Sequence, residues 1–287
     1  MLILHDPRCA EYGSAEHPEQ PARVLETASY LSRQYPEWLW RVPDAPVTDA
    51  VLRLAHTAAH LRRLEEPRDF DGDTPHLPDI PAHARRAVGA ALEAARHALA
   101  HGTPVFSLMR PPGHHATAGE AMGFCYLNQI AVAALDAQKN HGAGRVAVWD
   151  FDAHHGNGTE AILHGREGFL YASVHQSRGY PGTGMSDRDN GRNWPVAPDA
   201  PREEHMEALR ASWDAVVAWK PDLVLVSAGF DAYAKDPITN MTLETHDFAA
   251  LGAWIREEGL PTAAVLEGGY SPDLPKLVAA FLAAWAH

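Results

Sequence analysis

One segment concentrates side chains that can do chemistry: WDFDAHHGNGT, residues 149–159, at the end of the apolar run RVAVWDF. Asp150, Asp152 and His154 alternate with apolar residues, so in an extended segment all three would point to one side. Two carboxylates and an imidazole that converge at a strand end suit a divalent metal. The alternative is a solvated turn with capping acids, and we favour the metal site because the pattern is long and follows an apolar strand.

Three other segments carry polar residues that would complete such a site. RPPGHHATAG contains the pair His114 and His115, AKDPITN contains Asp236, and LEGGYSPD contains Tyr270. The two glycines before Tyr270 would let the backbone bring its phenol close to a metal. The candidate ligands supply oxygen, nitrogen and oxygen donors, and catalytic zinc sites keep a fourth position for water or substrate. These ligands are Asp152, His154 and Asp236.

The elements around these segments repeat a pattern of strand, polar loop and helix. Strands are predicted at 104–109, 145–151, 168–174, 222–228 and 261–267, and helices near 49–66, 82–101, 126–141 and 246–258. This alternation predicts an α/β fold with a mainly parallel sheet and helices on both faces. Each polar loop follows a strand, and ligands of open α/β sheets bind beyond the carboxyl ends of the strands. We therefore expect one site there, within a single domain of residues 1–287.

The composition limits the classes of function. Lys and Arg number 24 against 37 Asp and Glu, a net charge of −13, which argues against nucleic acid as a partner. The start MLILHDPRC is too short an apolar run for a signal peptide, and no run approaches a membrane span. Two cysteines exclude a disulfide framework. A cytoplasmic protein with no membrane partner is the expectation.

The motifs resemble those of the zinc-dependent histone deacetylase family, which includes bacterial histone deacetylase-like amidohydrolases and acetylpolyamine amidohydrolases. The matching stretches follow the family's order and are RPPGHHA…GFCYLN (110–128), DFDAHHGNGT (150–159), ASVHQ…YPGTG (172–184), SAGFDAYAKDP (227–237) and LEGGY (266–270). The resemblance implies a single-domain arginase/deacetylase-type fold. It also implies a hydrolase that uses one zinc ion and water to remove acetyl or other acyl groups from amines.

The resemblance assigns roles to the catalytic residues. His115 resembles the general base and acid, and His114 the neighbour that stabilises developing charge. Asp150 would orient His114, Asn157 would stand behind His115, and Tyr270 would polarise the substrate carbonyl. In the class II and bacterial branch of the family the position of Asn157 is an asparagine, as it is here. Because an amide carries no charge, it leaves His115 less cationic than a carboxylate would.

The resemblance also implies residues that contact the substrate and a structural potassium ion. The substrate residues are Asp73 at the rim, Gly123, Phe124 and Tyr180 along the acyl-lysine tunnel, and Leu243 as the gatekeeper at its mouth. The potassium ligands are Asp150, Asp152, His154, Ser173 and Val174, partly through main-chain carbonyls.

Two substrates are compatible with the motifs. An acetylated lysine in a peptide or protein is favoured because the gatekeeper is Leu243, where a glutamate would favour polyamines. An acetylated polyamine is the alternative, supported by the acidic loop PRDFDGDTP and the net charge. A manganese ureohydrolase of the arginase type and a catalytically inactive binding protein are disfavoured, because the HHA loop and Tyr270 are present. Acyl length, oligomeric state and iron in place of zinc stay open.

Overall fold

The computed structural model describes residues 1–287 and contains one eight-stranded sheet in which every neighbouring pair of strands is parallel. The strands are β1 (Leu2–Leu4), β2 (Leu39–Arg41), β3 (Val105–Ser107), β4 (Val146–Asp150), β5 (Phe169–Gln176), β6 (Gly191–Val196), β7 (Leu223–Ala228) and β8 (Thr262–Leu266). Their order across the sheet is β2-β1-β3-β8-β7-β4-β5-β6. The central strands are buried along their whole length, which explains their continuous apolar sequences.

Nine helices connect and cover the strands, and none is long and apolar enough to cross a membrane. They are α1 (Ala22–Gln34), α2 (Asp49–Leu52), α3 (Ala58–Leu64), α4 (Ile80–His101), α5 (Gln129–His141), α6 (Asn157–Leu163), α7 (Arg202–Ala218), α8 (Thr245–Glu258) and α9 (Leu274–Ala286). Helix α4 packs against β3, β8 and α5, whereas α1, α8 and α9 form another packed group. The α/β class with a parallel sheet is thus confirmed.

The sequence prediction was wrong in four local details. It missed the three short strands β1, β2 and β6, of which β2 and β6 form the sheet edges. An edge strand tolerates Pro195 of β6, whose ring nitrogen has no hydrogen to donate. The predicted helix at 49–66 is two helices, α2 and α3, because the Thr57 hydroxyl accepts the amide of His60 and starts a new helix.

Register brings polar residues together at the carboxyl end of the sheet. Asp150, the last residue of β4, lies opposite Ser173 of β5 and Ser227 of β7. The segments that follow β3, β4, β7 and β8 all leave the sheet at this edge, because the strands are parallel. The four segments carry the motifs that the sequence singled out.

Candidate active site

The segment after β4 forms a turn rather than an extended strand. The strand ends at Asp150, whose Oδ1 accepts the amide of Asp152 at 3.2 Å. In the same way Oδ1 of Asp152 accepts the amide of His154 at 2.9 Å. The prediction of strand alternation through residue 154 was therefore wrong. Asp152 and His154 converge because the carboxylates of Asp150 and Asp152 each accept the amide two residues further along the chain. Such local turns are typical of aspartate.

Three side chains form a group that could hold a metal ion: Asp152, His154 and Asp231, whose donor atoms all lie within 4.8 Å of one another. Oδ2 of Asp231 lies 2.8 Å from Nδ1 of His154, and its Oδ1 accepts the Ala153 amide at 2.8 Å. Asp231 was not among the residues predicted from the sequence. Asp231 could have been predicted from the sequence, because it follows β7 in GFDA as Asp152 follows β4.

Asp236 lies at the margin of this group. Its Oδ2 accepts the Tyr270 amide at 2.7 Å and its Oδ1 accepts the Ile238 amide at 3.1 Å. Burial, and then the charge of Asp231, raises the pKa of Asp236 to about 7, which indicates that the two carboxylates are neighbours. The structure does not bring Asp236 into the 4.8 Å group, and its role as a ligand stays a prediction.

The donor set fits a divalent cation. Asp152 and Asp231 are fully buried and Asp236 nearly so, and the anionic charge of Asp231 and Asp236 is unmatched by any nearby lysine or arginine salt bridge. Buried like charges repel one another in a medium of low dielectric constant. A cation with two positive charges would relieve that repulsion. Carboxylate oxygen and imidazole nitrogen are donors that zinc and iron accept.

The adjacent histidines have different partners. Nδ1 of His114 lies 3.1 Å from Oδ2 of Asp150, whereas Nδ1 of His115 lies 2.9 Å from Oδ1 of Asn157. Both acceptors are oxygens, so each Nδ1 carries the hydrogen. In the neutral His115 ring, Nε2 is then a free base. The predicted pairing of His114 with Asp150 and of His115 with Asn157 is present in the structure.

This difference in partners separates the pKa values of the two histidines. Burial alone would lower the pKa of His114, but the charges of Asp152 and Asp150 outweigh it and raise the pKa to about 10. Burial, and then the positive charge of His114, lowers the pKa of His115 well below its usual range. These shifts favour the imidazolium form of His114 and the neutral form of His115.

Tyr270 reaches the site from the end of β8. Gly269 has φ +116°, and a Cβ there would meet Leu274 at 2.8 Å, so this position favours glycine. The guanidinium of Arg23 lies 4.8 Å from the centre of the Tyr270 ring. Burial raises the pKa of Tyr270 well above its usual value, so the phenol stays protonated and its hydroxyl remains a hydrogen-bond donor.

A cavity of about 300 Å³ opens above these residues. Its lining contains four of the five predicted substrate residues and three of the predicted catalytic or metal residues. The lining residues are Pro18, Asp73, His115, Gly123, Phe124, His154, Tyr180, Ile238 and Tyr270. This volume is in the range of small-molecule sites.

Aromatic side chains form the walls of the cavity. The Tyr180 ring meets the His115 ring edge-on with centroids 5.0 Å apart, and the Phe124 ring meets Tyr270 in the same way at 5.8 Å. Gly123 has φ +55°, and a Cβ there would lie 2.7 Å from both His115 and Tyr180. Glycine at this position therefore leaves the space that the His115 imidazole and the Tyr180 ring occupy.

Leu243 does not line the cavity, and the prediction that it is the gatekeeper was wrong. It is 1% exposed within the core, and its backbone pairs with that of Ala232. Ile238, two residues past Asp236, lines the mouth instead and is 38% exposed. The chain turns back into the core between Ile238 and Leu243, so distance along the sequence misplaced the gatekeeper.

The five predicted potassium residues lie at the adjoining ends of β4 and β5. Asp150 pairs with Ser173 in the sheet, and both are fully buried, as is Val174. The Ser173 hydroxyl bonds Nδ1 of His175 at 2.8 Å. Potassium binding stays a prediction.

Comparison with known proteins identifies the family. A profile of the histone deacetylase domain matches residues 17–285, almost the whole chain. The chain belongs to the histone deacetylase family. It is accordingly a deacetylase-family hydrolase, as its motifs predicted.

Individual relatives agree with this assignment. The chain is 36% identical to a "probable deacetylase" of Methanothermobacter thermautotrophicus, over 95% of this chain and 86% of the relative. It is also 36% identical to a histone deacetylase-like amidohydrolase of Pseudomonas aeruginosa, over 91% and 74% of the two chains. The crystal structure of an acetylpolyamine aminohydrolase from Burkholderia pseudomallei superposes with a TM-score of 0.88 at 26% identity, covering 99% of this chain and 98% of the other. This likeness confirms the predicted arginase/deacetylase-type fold.

Proposed function

We propose that this protein is a zinc-dependent deacetylase that hydrolyses the amide of acyl-lysine side chains in peptides or proteins. One observation carries the proposal: His115, His154 and Tyr270 line the same cavity. A base, a metal-ligating imidazole and a hydroxyl donor thus face one volume in which a substrate carbonyl would sit.

Asp152, His154 and Asp231 are the proposed metal ligands, because their donor atoms are the three that converge within 4.8 Å. Asp231 is preferred to Asp236, the third ligand predicted from the sequence, because Asp236 lies outside this group. The Asp236 carboxylate accepts the Tyr270 amide instead and fixes the backbone there. When bound, a divalent zinc ion polarises the amide carbonyl and lowers the pKa of water towards ~7. We further propose a structural potassium ion at Asp150, Asp152, His154, Ser173 and Val174.

The proton transfers fall to the histidine pair. Nε2 of the neutral His115 takes the proton of the attacking water, since Nδ1 is held by Asn157. The same nitrogen then donates that proton to the leaving amine as the C–N bond breaks. His114, kept cationic by Asp150 and Asp152, stabilises the negative charge that develops beside it.

Tyr270 donates a hydrogen bond to the oxyanion formed when water adds to the carbonyl carbon. Its raised pKa keeps the hydroxyl hydrogen in place at neutral pH. Its backbone amide is fixed on Asp236, and Arg23 packs on its ring. The donor is therefore held in place before the reaction begins, which is the basis of oxyanion stabilisation.

The mouth of the cavity favours a lysine side chain. Tyr180 and Ile238 are 41% and 38% exposed there, and no glutamate is among the lining residues. Such an apolar rim suits the flanking residues of a peptide. Asp73, also in the lining, has a carboxylate that would accept amides of the peptide backbone.

Acetylpolyamine hydrolysis is the second candidate function. Asp71 lies near Asp73, and its Oδ2 accepts the Gly123 amide at 3.4 Å. The two carboxylates would attract the free ammonium of a small polyamine. The fold likeness to an acetylpolyamine aminohydrolase is consistent with this alternative.

A comparison of substrates distinguishes these functions. The zinc-loaded protein is assayed with a fluorogenic acetyl-lysine peptide, N-acetylputrescine and N-acetylspermidine, each with and without chelator. We expect the peptide to have the highest kcat/KM and D73N to raise the KM for the peptide. A higher kcat/KM for either polyamine would replace the lysine assignment. Absence of hydrolysis of all three substrates would contradict the enzyme itself.

A further inference from the structure

The carboxylate of Glu267 contacts the loop that carries the histidine pair and belongs to none of the proposed catalytic or metal-binding residues. Glu267 follows β8 and is fully buried. Its Oε2 accepts the amides of Gly113 at 2.7 Å and His114 at 3.2 Å, and its Oε1 accepts the Ser227 hydroxyl at 3.2 Å. A single side chain thus joins the loop after β3 to the end of β7.

The two amides have no other acceptor. Neither Gly113 nor His114 donates its amide to a backbone carbonyl. Gly113 itself is closely packed, since a Cβ there would lie 2.8 Å from Gln129. Loss of the Glu267 carboxylate would leave two buried N–H groups unsatisfied, and the loop would have to move to recover partners.

The backbone around Glu267 is tied to the other half of the site. The Glu267 amide bonds the carbonyl of Ala228 at 3.0 Å, and the Gly268 amide bonds Oδ2 of Asp152 at 2.7 Å. Tyr270 follows two residues after Gly268. The same short segment therefore fixes a metal ligand, the hydroxyl donor and the loop that carries the base.

We propose that Glu267 is a positioning residue that sets the place of His114 and His115 relative to Asp152 and Tyr270. The kinetic part of this proposal rests on the proposed function. Displacement of a catalytic group by ~1 Å can lower turnover by ~10²-fold. Loss of the Glu267 bonds would act on kcat, because the wall residues that bind the substrate lie on other segments.

Three variants of Glu267 distinguish the effect of its hydrogen-bonding position from the effect of its negative charge. Glu267→Gln keeps an oxygen that accepts the two amides, while its NH₂ group can donate to the Ser227 hydroxyl. Glu267→Asp withdraws the carboxylate by one methylene, and Glu267→Ala removes it. Asp136→Asn is the matched control, because Asp136 is a buried carboxylate of α5 that pairs with Arg96 at 3.0 Å and His141 at 3.1 Å.

Two measurements are made on each zinc-loaded variant. The first is kcat and KM on the acetyl-lysine peptide, with metal content as a check. The second is amide hydrogen exchange at Gly113 and His114, which requires no substrate. If the wild-type protein does not hydrolyse the peptide, the proposed function fails, and amide exchange alone decides the role of Glu267.

We expect E267A and E267D to speed exchange at Gly113 and His114 and to lower kcat by ~10²-fold with little change in KM. E267Q should retain most of kcat, and amide exchange at Gly113 and His114 should stay as slow as in the wild-type protein. D136N should change neither quantity at this site. If E267A does not fold, E267D against E267Q decides the matter. Wild-type exchange in E267D, or equal loss of kcat in E267Q and E267D, would overturn the proposal.

Discussion

His115 and Asn157 are joined by a hydrogen bond of 2.9 Å between Nδ1 of the imidazole and Oδ1 of the amide. An amide fixes the orientation of the ring without adding negative charge beside it. Burial and the cation at His114 then hold the pKa of His115 well below its usual range. These contacts therefore favour the neutral form of His115, which can accept a proton.

Replacing Asn157 by aspartate should raise the pKa of His115, because a carboxylate favours the imidazolium. Only the neutral ring acts as the base, so activity is lost as the pH falls through this pKa. In N157D the acidic limb of the kcat/KM profile should therefore move to higher pH. N157A is the control: it removes the bond without adding charge and should lower kcat without that upward movement. An unmoved acidic limb in N157D would contradict the role of His115 as base.

Substitution of Tyr270 by phenylalanine should lower kcat by ~10²–10³-fold, the usual effect of losing one oxyanion donor. The hydroxyl is not among the proposed ligands, so zinc should remain bound. The measurement is kcat on the acetyl-lysine peptide together with the metal content of the purified variant. Near-wild-type turnover in Y270F would exclude the role assigned to this phenol.

Asp231 and Asp236 can be compared directly, since Asp231 belongs to the compact donor group and Asp236 lies outside it. We expect D231N to lose zinc outright. D236N should weaken zinc binding by at most ~10–100-fold, the effect expected for a carboxylate beside the ligands rather than among them. Competition with a chelator of known affinity measures both. Greater loss in D236N than in D231N would make Asp236 the third ligand.

Variants of Ile238 and Leu243 test which of the two residues lies at the mouth of the cavity as the gatekeeper. I238A should raise the KM for the peptide with little effect on stability, because Ile238 is exposed at the mouth. L243A should lower the free energy of unfolding by ~2–5 kcal/mol, because it leaves a cavity in the core. Chemical denaturation and steady-state kinetics of both variants check this. A selective rise of KM in L243A, with stability retained, would restore the original assignment.

The sequence predicted the central sheet well, because each of its inner strands is a continuous apolar run followed by a polar loop. Strands β4, β7 and β8 were found to within two residues at either end. The edge strands β2 and β6 were missed since their side chains are partly exposed and carry no such signal. The break between α2 and α3 was missed because an amphipathic pattern continues through Thr57.

The spacing of residues in the sequence predicted only part of the site. The parallel strands bring His115, His154 and Tyr270 to one cavity, as expected from loops that follow strands. Glu267 was overlooked because only its side-chain contacts distinguish it from an ordinary strand end. Asp231 was overlooked although it follows β7 as Asp152 follows β4. Leu243 was misplaced because the path of a loop back into the core is a tertiary property.

The most direct test of the account is the dependence of acetyl-lysine hydrolysis on metal. The protein is stripped of metal, and acetate release from an acetyl-lysine peptide is followed during titration with zinc. We predict that activity is absent without metal and rises until one equivalent of zinc is bound. Full acetate release by the stripped protein, or none after one equivalent of zinc has bound, would contradict the account.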